Sequence, residues 1–298
     1  MSASWVKIDA PASILGEGPV WSGREQVLYW LDVVGKAIFR LDPATGEVRT
    51  RALPYAPSAI VPRADGGLLL VTKKGMALLD DFAAEPRSVP LPGIDFSQEV
   101  FNDAACDAAG RLWVGTRDFN VREPKGRLFR VDAGLTLEQQ DEGFVVSNGI
   151  AWSPDGGTLY HVDSRPGCVY AHDFDMATGT LRNRRVFLDY SAMDVAGHPD
   201  GCTVDAEGGL WIAEVEGWRV ARYTPDGRLD REIRLPFKKP TSVMFGGAGL
   251  DRLFITSMQF RLTDQELLDQ PLAGSLLVVE PGVKGLPEPA FRLGGATV

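Results

Sequence analysis

Short apolar runs recur along the whole chain, each followed by an Asp/Gly-rich turn and a second apolar run. The clearest copy spans Asn102 to Thr116 and reads Asn-Asp-Ala-Ala-Cys-Asp-Ala-Ala-Gly-Arg-Leu-Trp-Val-Gly-Thr. A second runs from Asn148 through Gly156 to Asp163, and a third from Asp200 through Gly208 to Glu214. Each reads as a strand, a tight hairpin and a second strand, because Asp and Gly tolerate the positive φ that such turns need. Weaker copies pair Glu17–Trp21 with Leu28–Asp32, Ser58–Pro62 with Leu69–Lys73, and Thr241–Phe245 with Leu253–Ser257.

The copies recur about every 41 to 52 residues, the period of a four-stranded propeller blade. Six such units predict an all-β, six-bladed β-propeller occupying residues 1–298 as one domain. No Pro/Ser-rich linker or composition shift divides the chain, which disfavours a β-sandwich or two domains. Helical periodicity is almost absent, and Asp264 to Asp269 alone reads as a short helical turn. A strand near Trp5–Ile8 is expected to complete the last blade.

Superposing the copies aligns Glu17, Ser58, Asn102, Asn148, Asp200 and Thr241 at the opening of the first strand. First strands line a propeller's central channel, so these six oxygen-bearing side chains should converge near the axis. Buried polar groups at one level need water or an ion, and two close carboxylates, Glu17 and Asp200, need a cation or a shared proton. The carboxylate and carboxamide oxygens suit one divalent metal ion, Ca²⁺, Mg²⁺ or Mn²⁺, and also accept Zn²⁺ or Fe²⁺. A hydrated polar channel is the alternative. His161 and His172 fall inside strand patterns and read as packing or surface residues, and His198, two residues before Asp200, as a solvated loop residue, the alternative being a channel-rim acid/base. There is no nucleophile elbow, P-loop or dinucleotide fingerprint.

Composition narrows the field. Hydrophobic residues are 44 % and charged residues 24 % of the 298 positions, enough for a sizeable core. A net charge of -9 repels phosphate backbones and anionic lipids, so nucleic-acid and membrane roles are disfavoured. The three scattered cysteines, Cys106, Cys168 and Cys202, form no disulfide framework. With no signal-peptide core in Met1–Ala10, they predict a cytoplasmic protein. A closed ring has few free edges, which predicts a monomer.

Nearly the whole chain resembles the senescence marker protein/regucalcin/gluconolactonase family of metal-dependent sugar lactone lactonases. The resemblance rests on the order and spacing of Leu15–Trp21, Phe101–Asp103, Ser147–Gly149, Asn183–Arg185, Pro199–Gly201, Phe245–Gly247 and Gly282–Gly285. It implies that Glu17, Asn148 and Asp200 hold the metal, that Asn102 contacts substrate or a metal-bound water, and that the substrate is a sugar lactone. On that reading the metal activates the lactone carbonyl and Asp200 is also the general base. Many family members carry an arginine where this chain has Val100. Arg117 ends the second strand of that blade and is expected to take over the missing role, the alternative being a surface residue paired with Asp118 or Glu123. Further rim residues expected to select substrate are Asp32, Lys73, Asn120, Asp163, Arg165, Glu214, Trp218 and Gln259. Rival functions are a phosphotriester or aryl-ester hydrolase on the same site and a non-catalytic calcium-binding propeller.

Overall fold

The computed structural model describes residues 4–89, 91 and 93–294. A short N-terminal strand, β1 (Trp5–Lys7), is followed by five blades of consecutive strands. They are β2 (Gly16–Ser22), β3 (Val27–Asp32), β4 (Ala37–Asp42) and β5 (Glu47–Ala52); then β6 (Pro57–Pro62), β7 (Leu68–Thr72), β8 (Gly75–Leu79) and β9 (Arg87–Val89). The third comprises β10 (Glu99–Cys106), β11 (Leu112–Asp118), β12 (Gly126–Val131) and β13 (Leu137–Phe144). The fourth comprises β14 (Ser147–Trp152), β15 (Thr158–Asp163), β16 (Cys168–Asp175) and β17 (Thr180–Asp189). The fifth comprises β18 (His198–Val204), β19 (Leu210–Val215), β20 (Arg219–Tyr223) and β21 (Leu229–Arg234). The last blade combines β22 (Pro240–Gly246), β23 (Arg252–Ser257) and β24 (Leu277–Val279) with β1 as its outer strand, in antiparallel register Trp5↔Val279. The six-bladed propeller and its closure by the N-terminus are as the repeats predict.

Burial follows a strand's place in the blade. β3 is buried at every residue, whereas the outer strand β5 is mostly exposed. Inner strands have a neighbouring blade on each face, so they read as unbroken apolar runs rather than as alternating ones. The core is correspondingly a ring of layers between blades. Tyr29, Leu31 and Ile38 of the first blade pack on Ile60, Leu68 and Leu70 of the second, and Trp21 and Trp30 lie in one cluster with Phe254 of the last.

The repeated Asp-x-x-Gly-x-Leu-Trp segment has a definite job. The Asp205 carboxylate accepts the turn amides of Glu207 and Gly209, then Trp211 Nε1 at 2.7 Å and Arg222 Nε at 2.6 Å. Asp107 does the same with the amides of Ala109 and Arg111, Trp113 Nε1 at 2.9 Å and Arg111 Nε at 2.6 Å. Gly208, with φ +86°, supplies the left-handed residue that closes the turn. One buried acid thereby fixes both the hairpin and the blade's tryptophan. The chain's one α-helix among the described residues, α1 (Asp264–Asp269), begins with a capping box between Thr263 and Glu266. No described helix is long and apolar enough to cross a membrane.

Candidate active site in the channel

Every innermost strand breaks register with its neighbour at the same height. The shifts fall between Glu17 and Val20, Pro57 and Ala59, Phe101 and Ala104, Asn148 and Ile150, Pro199 and Cys202, and Pro240 and Ser242. These intervals contain or border all six aligned polar residues. A bulge turns a side chain out of the regular pleat, so six matching bulges form one polar tier around the axis.

The tier is not uniform. Ser58 Oγ donates to the carbonyl of Phe101 at 2.9 Å, and Thr241 Oγ1 to that of Gly16 at 2.6 Å. Both hydroxyls therefore tie neighbouring blades together instead of serving the channel, against the expectation that all six converge. Glycines follow three of the remaining four. A Cβ on Gly149 would lie 2.6 Å from the Asp200 carbonyl oxygen, and one on Gly201 2.1 Å from Ser242 Oγ. Gly18 has φ +52°.

Asn148 Nδ2 donates to the Asp200 carboxylate and, at 3.1 Å, to Ser164 Oγ. Glu17 faces the same space. Burial raises the pKa values of both Glu17 and Asp200; Asp200 raises that of Glu17 further, and Asp103 raises both. Asp103 is the residue that sequence reasoning missed. The bulge in β10 spans two residues, so it delivers Asn102 and Asp103 together. Burial pushes the Asp103 carboxyl up to about 6. Glu17, Asp103 and Asp200 make no ion pair with any described residue. Carboxylates crowded this way call for protons or a cation. No three His, Cys, Asp or Glu side chains among the described residues converge closely enough to hold an ion alone. A cation here would therefore draw on the Asn148 carboxamide as well, and this all-oxygen donor set fits a hard divalent ion.

Asn102 is held from the next blade. Its Nδ2 donates to the Ser147 carbonyl at 2.9 Å, and Ser147 Oγ meets His161 Nε2 at 2.6 Å. His161 is fully buried, and burial drives its pKa well down, so it packs as a neutral ring. His172 is also buried. His198 is not a solvated loop residue: it opens β18, pairs with Val215 and is half-buried.

Several rim expectations are corrected. Asp32 accepts the amides of Ile14, Leu15 and Gly35, and Asp163 those of Val145 and Val146. Glu214 is buried against Tyr190, Tyr223 and Arg219. These acids fasten loops and core and do not face substrate. Gln259 Nε2 donates to the Ala273 carbonyl. Asn120 and Arg165 are exposed on loops, and Trp218 is 40 % exposed at the rim. Arg117 stands directly opposite Val100 in the β10–β11 register. Opposed residues of an antiparallel pair project from one face. Its Nη1 donates to the Asp118 and Phe119 carbonyls at 3.0 and 3.3 Å, and it makes no ion pair with a described residue.

On the far side of the polar tier the channel opens into an apolar cavity of about 340 Å³, walled by Ile60, Ile150, Trp152, Met244 and residues 286–289. Burial lifts the Glu288 carboxyl there to about 7.

The family model described as SMP-30/Gluconolactonase/LRE-like region matches residues 15–259. A 6-deoxy-6-sulfogluconolactonase from Pseudomonas putida is 39 % identical over 94 % of this chain and 95 % of its own. A pentonolactonase from Haloferax volcanii is 34 % identical over 82 % of this chain and 81 % of its own. Among solved structures, the calcium-binding protein regucalcin from Agrobacterium tumefaciens superposes with a TM-score of 0.89 at 28 % identity, covering 98 % of each chain.

Proposed function

This chain belongs to the SMP-30/gluconolactonase/LRE-like family, and on that premise we propose that it is a sugar lactonase opening an aldonolactone in the mouth of its channel. The observation that supports the reading is the polar tier on bulged strands of four blades, in which Glu17, Asp103 and Asp200 are close enough for the charge of one to raise the pKa of the next, Asn148 bonds Asp200, and no ion pair with a described residue answers the three acids. Glu17, Asn148 and Asp200 would hold one divalent cation. When bound, such an ion supplies Lewis-acid polarisation of the lactone carbonyl.

The remaining chemistry belongs to the chain. Asp200 accepts the proton of the attacking water. The proton then passes to the departing ring oxygen, which completes hydrolysis to the open-chain acid. Asn102 orients the lactone: one of its two N–H bonds is committed to the Ser147 carbonyl, and the other is free for substrate oxygen. Arg117 occupies the face from which the family arginine would otherwise reach the sugar.

The test is proton release from a panel of pentono- and hexonolactones by chelator-stripped protein, with divalent cations restored singly. The Pseudomonas putida and Haloferax volcanii relatives are named for a gluconolactone derivative and for pentonolactones, so both classes belong in the panel. Asp200→Ala should lose cation binding and turnover together. Asn102→Ala should keep the cation and lose about 10²-fold in kcat. A cation-loaded protein that opens no lactone above the spontaneous rate would refute the reading.

A further inference from the structure

Two cations from adjacent blades, Lys73 and Arg117, lie near enough for Arg117 to add to burial in lowering the Lys73 pKa, and the one acid acting on Arg117 is its chain neighbour Asp118, which forms no ion pair with it. Arg117 is the penultimate residue of β11 and stands opposite Val100 of β10, the strand that carries Asn102. Lys73 lies in the turn between β7 and β8 of the adjacent blade, directly after Thr72, which pairs with Pro57 beside Ser58. Both side chains are half-buried. Burial and the neighbouring Arg117 together lower the pKa of Lys73, while burial lowers that of Arg117. Among the described residues, neither makes an ion pair, the Lys73 amine has no hydrogen-bond partner, and Arg117 uses only Nη1, on two carbonyls.

Holding two like charges together in a half-enclosed place is unfavourable unless something answers them. In a chain of net charge -9, acids to do so are plentiful, since Asp and Glu number 40 against 31 Lys and Arg. The other enclosed arginines have taken them: Arg63, Arg127, Arg219 and Arg222 each pair with a carboxylate. The mouth is where that rule lapses. The unused Nε and Nη2 of Arg117 form the two-pronged edge that binds planar or tetrahedral oxyanions, and Lys73 adds a point charge.

We propose that Lys73 and Arg117 form an anion clamp, so that the preferred substrate is a lactone bearing an acidic group, a sulfonate, phosphate or carboxylate, on the carbon farthest from the ring carbonyl. The proposal rests on the lactonase reading for its substrate. Val100, opposite Arg117, is two residues from Asn102, about 7 Å along a strand. That is the order of a six-carbon chain, so the clamp can hold one end of the molecule while Asn102 meets the other.

Two measurements separate this proposal from the reading beneath it. The first compares kcat/KM for gluconolactone with its 6-phosphate, 6-sulfonate and 6-carboxylate counterparts. The anionic lactones should be preferred at least tenfold, in an order that identifies the headgroup, and the preference should shrink as salt is raised from 50 to about 500 mM. Lys73→Met and Arg117→Leu should each narrow the anionic-to-neutral ratio. The second measures calorimetric binding of 6-phosphogluconate and of gluconate, which needs no turnover. Equal use of neutral and anionic lactones, with a ratio unmoved by Lys73→Met, overturns the clamp and leaves the lactonase standing. Absence of turnover with Lys73-dependent binding of the phosphate sustains the clamp and overturns the lactonase. Neither turnover nor preferential phosphate binding overturns both.

Discussion

Replacing Gly149 by alanine tests whether the bulges, rather than the side chains alone, make the site. Gly149 has an ordinary negative φ, so the substitution brings no backbone strain and acts through space alone. Its new methyl would stand 2.6 Å from the Asp200 carbonyl oxygen, 2.8 Å from Cys202 Sγ and 2.8 Å from Val162 Cγ2. Restoring an ordinary contact of 3.4 Å means parting β14 and β18 by roughly 0.8 Å, because the obstructing atom is backbone and cannot rotate away. Overpacking of this kind costs about 1–3 kcal/mol, which for a domain of this size lowers Tm by roughly 3 °C at the midpoint of that range. The displacement acts between Asn148 and Asp200, two of the candidate ligands. Misplacement near 1 Å costs on the order of 10²-fold in rate. Thermal unfolding, cation titration and kcat/KM are to be read together, with Gly23→Ala as control, since a methyl there meets nothing within 4 Å. A Gly149→Ala protein with native cation affinity and turnover would refute the bulge argument, whatever its Tm.

Asp205→Asn should cost about 2 kcal/mol, because it removes the most buried of the three carboxylates, with Glu207 and Asp230, that pair with Arg222, and weakens the acceptor for Trp211. Its kcat/KM should hold, as the hairpin lies at the opposite end of the blade from the mouth; a fall in turnover of the still-folded variant counts against that separation. Glu288 gives a pH signature. Its folded pKa of about 7 lies above the ordinary 4.5, so the native state binds the extra proton. Its contribution is complete below about pH 4.5 and is lost as pH rises through 7. Glu288→Gln should flatten that decline and raise stability at pH 8 by on the order of 1–3 kcal/mol, measured by urea unfolding at pH 5 and 8; parallel pH slopes for the two proteins would dismiss it. Thr241→Val should leave the Gly16 carbonyl without its partner and cost about 1–2 kcal/mol, with unchanged cation affinity in a titration, because its hydroxyl serves the seam between blades.

The blades were legible because each pairs two apolar runs across a turn, and in the third and fifth an acid, a glycine and a tryptophan stand at fixed offsets that Asp107 and Asp205 explain. Glu17, Asn102, Asn148 and Asp200 were legible through superposition of the copies. Asp103 was not, since in a regular strand it would point away from Asn102, and only the bulge after Phe101 brings both into the channel. Asp32, Asp163 and Glu214 misled for a different reason. An acid ending a second strand has the same sequence signature whether it faces substrate or collects loop amides, and here amides and hydroxyls had first claim. Ser58 and Thr241 are short enough to reach a neighbouring backbone carbonyl, which spacing alone does not reveal.

The pairing of β1 with β24 sets an order of events during synthesis. Residues 5–7 are made about 270 residues before Leu277 to Val279, their strand partners among the described residues. Until then the last sheet lacks its outer strand and the circle stays open, with both ends offering unpaired backbone to other nascent chains. Ring closure therefore waits on the synthesis of β24, and a strand made before all the blades serves as their final latch.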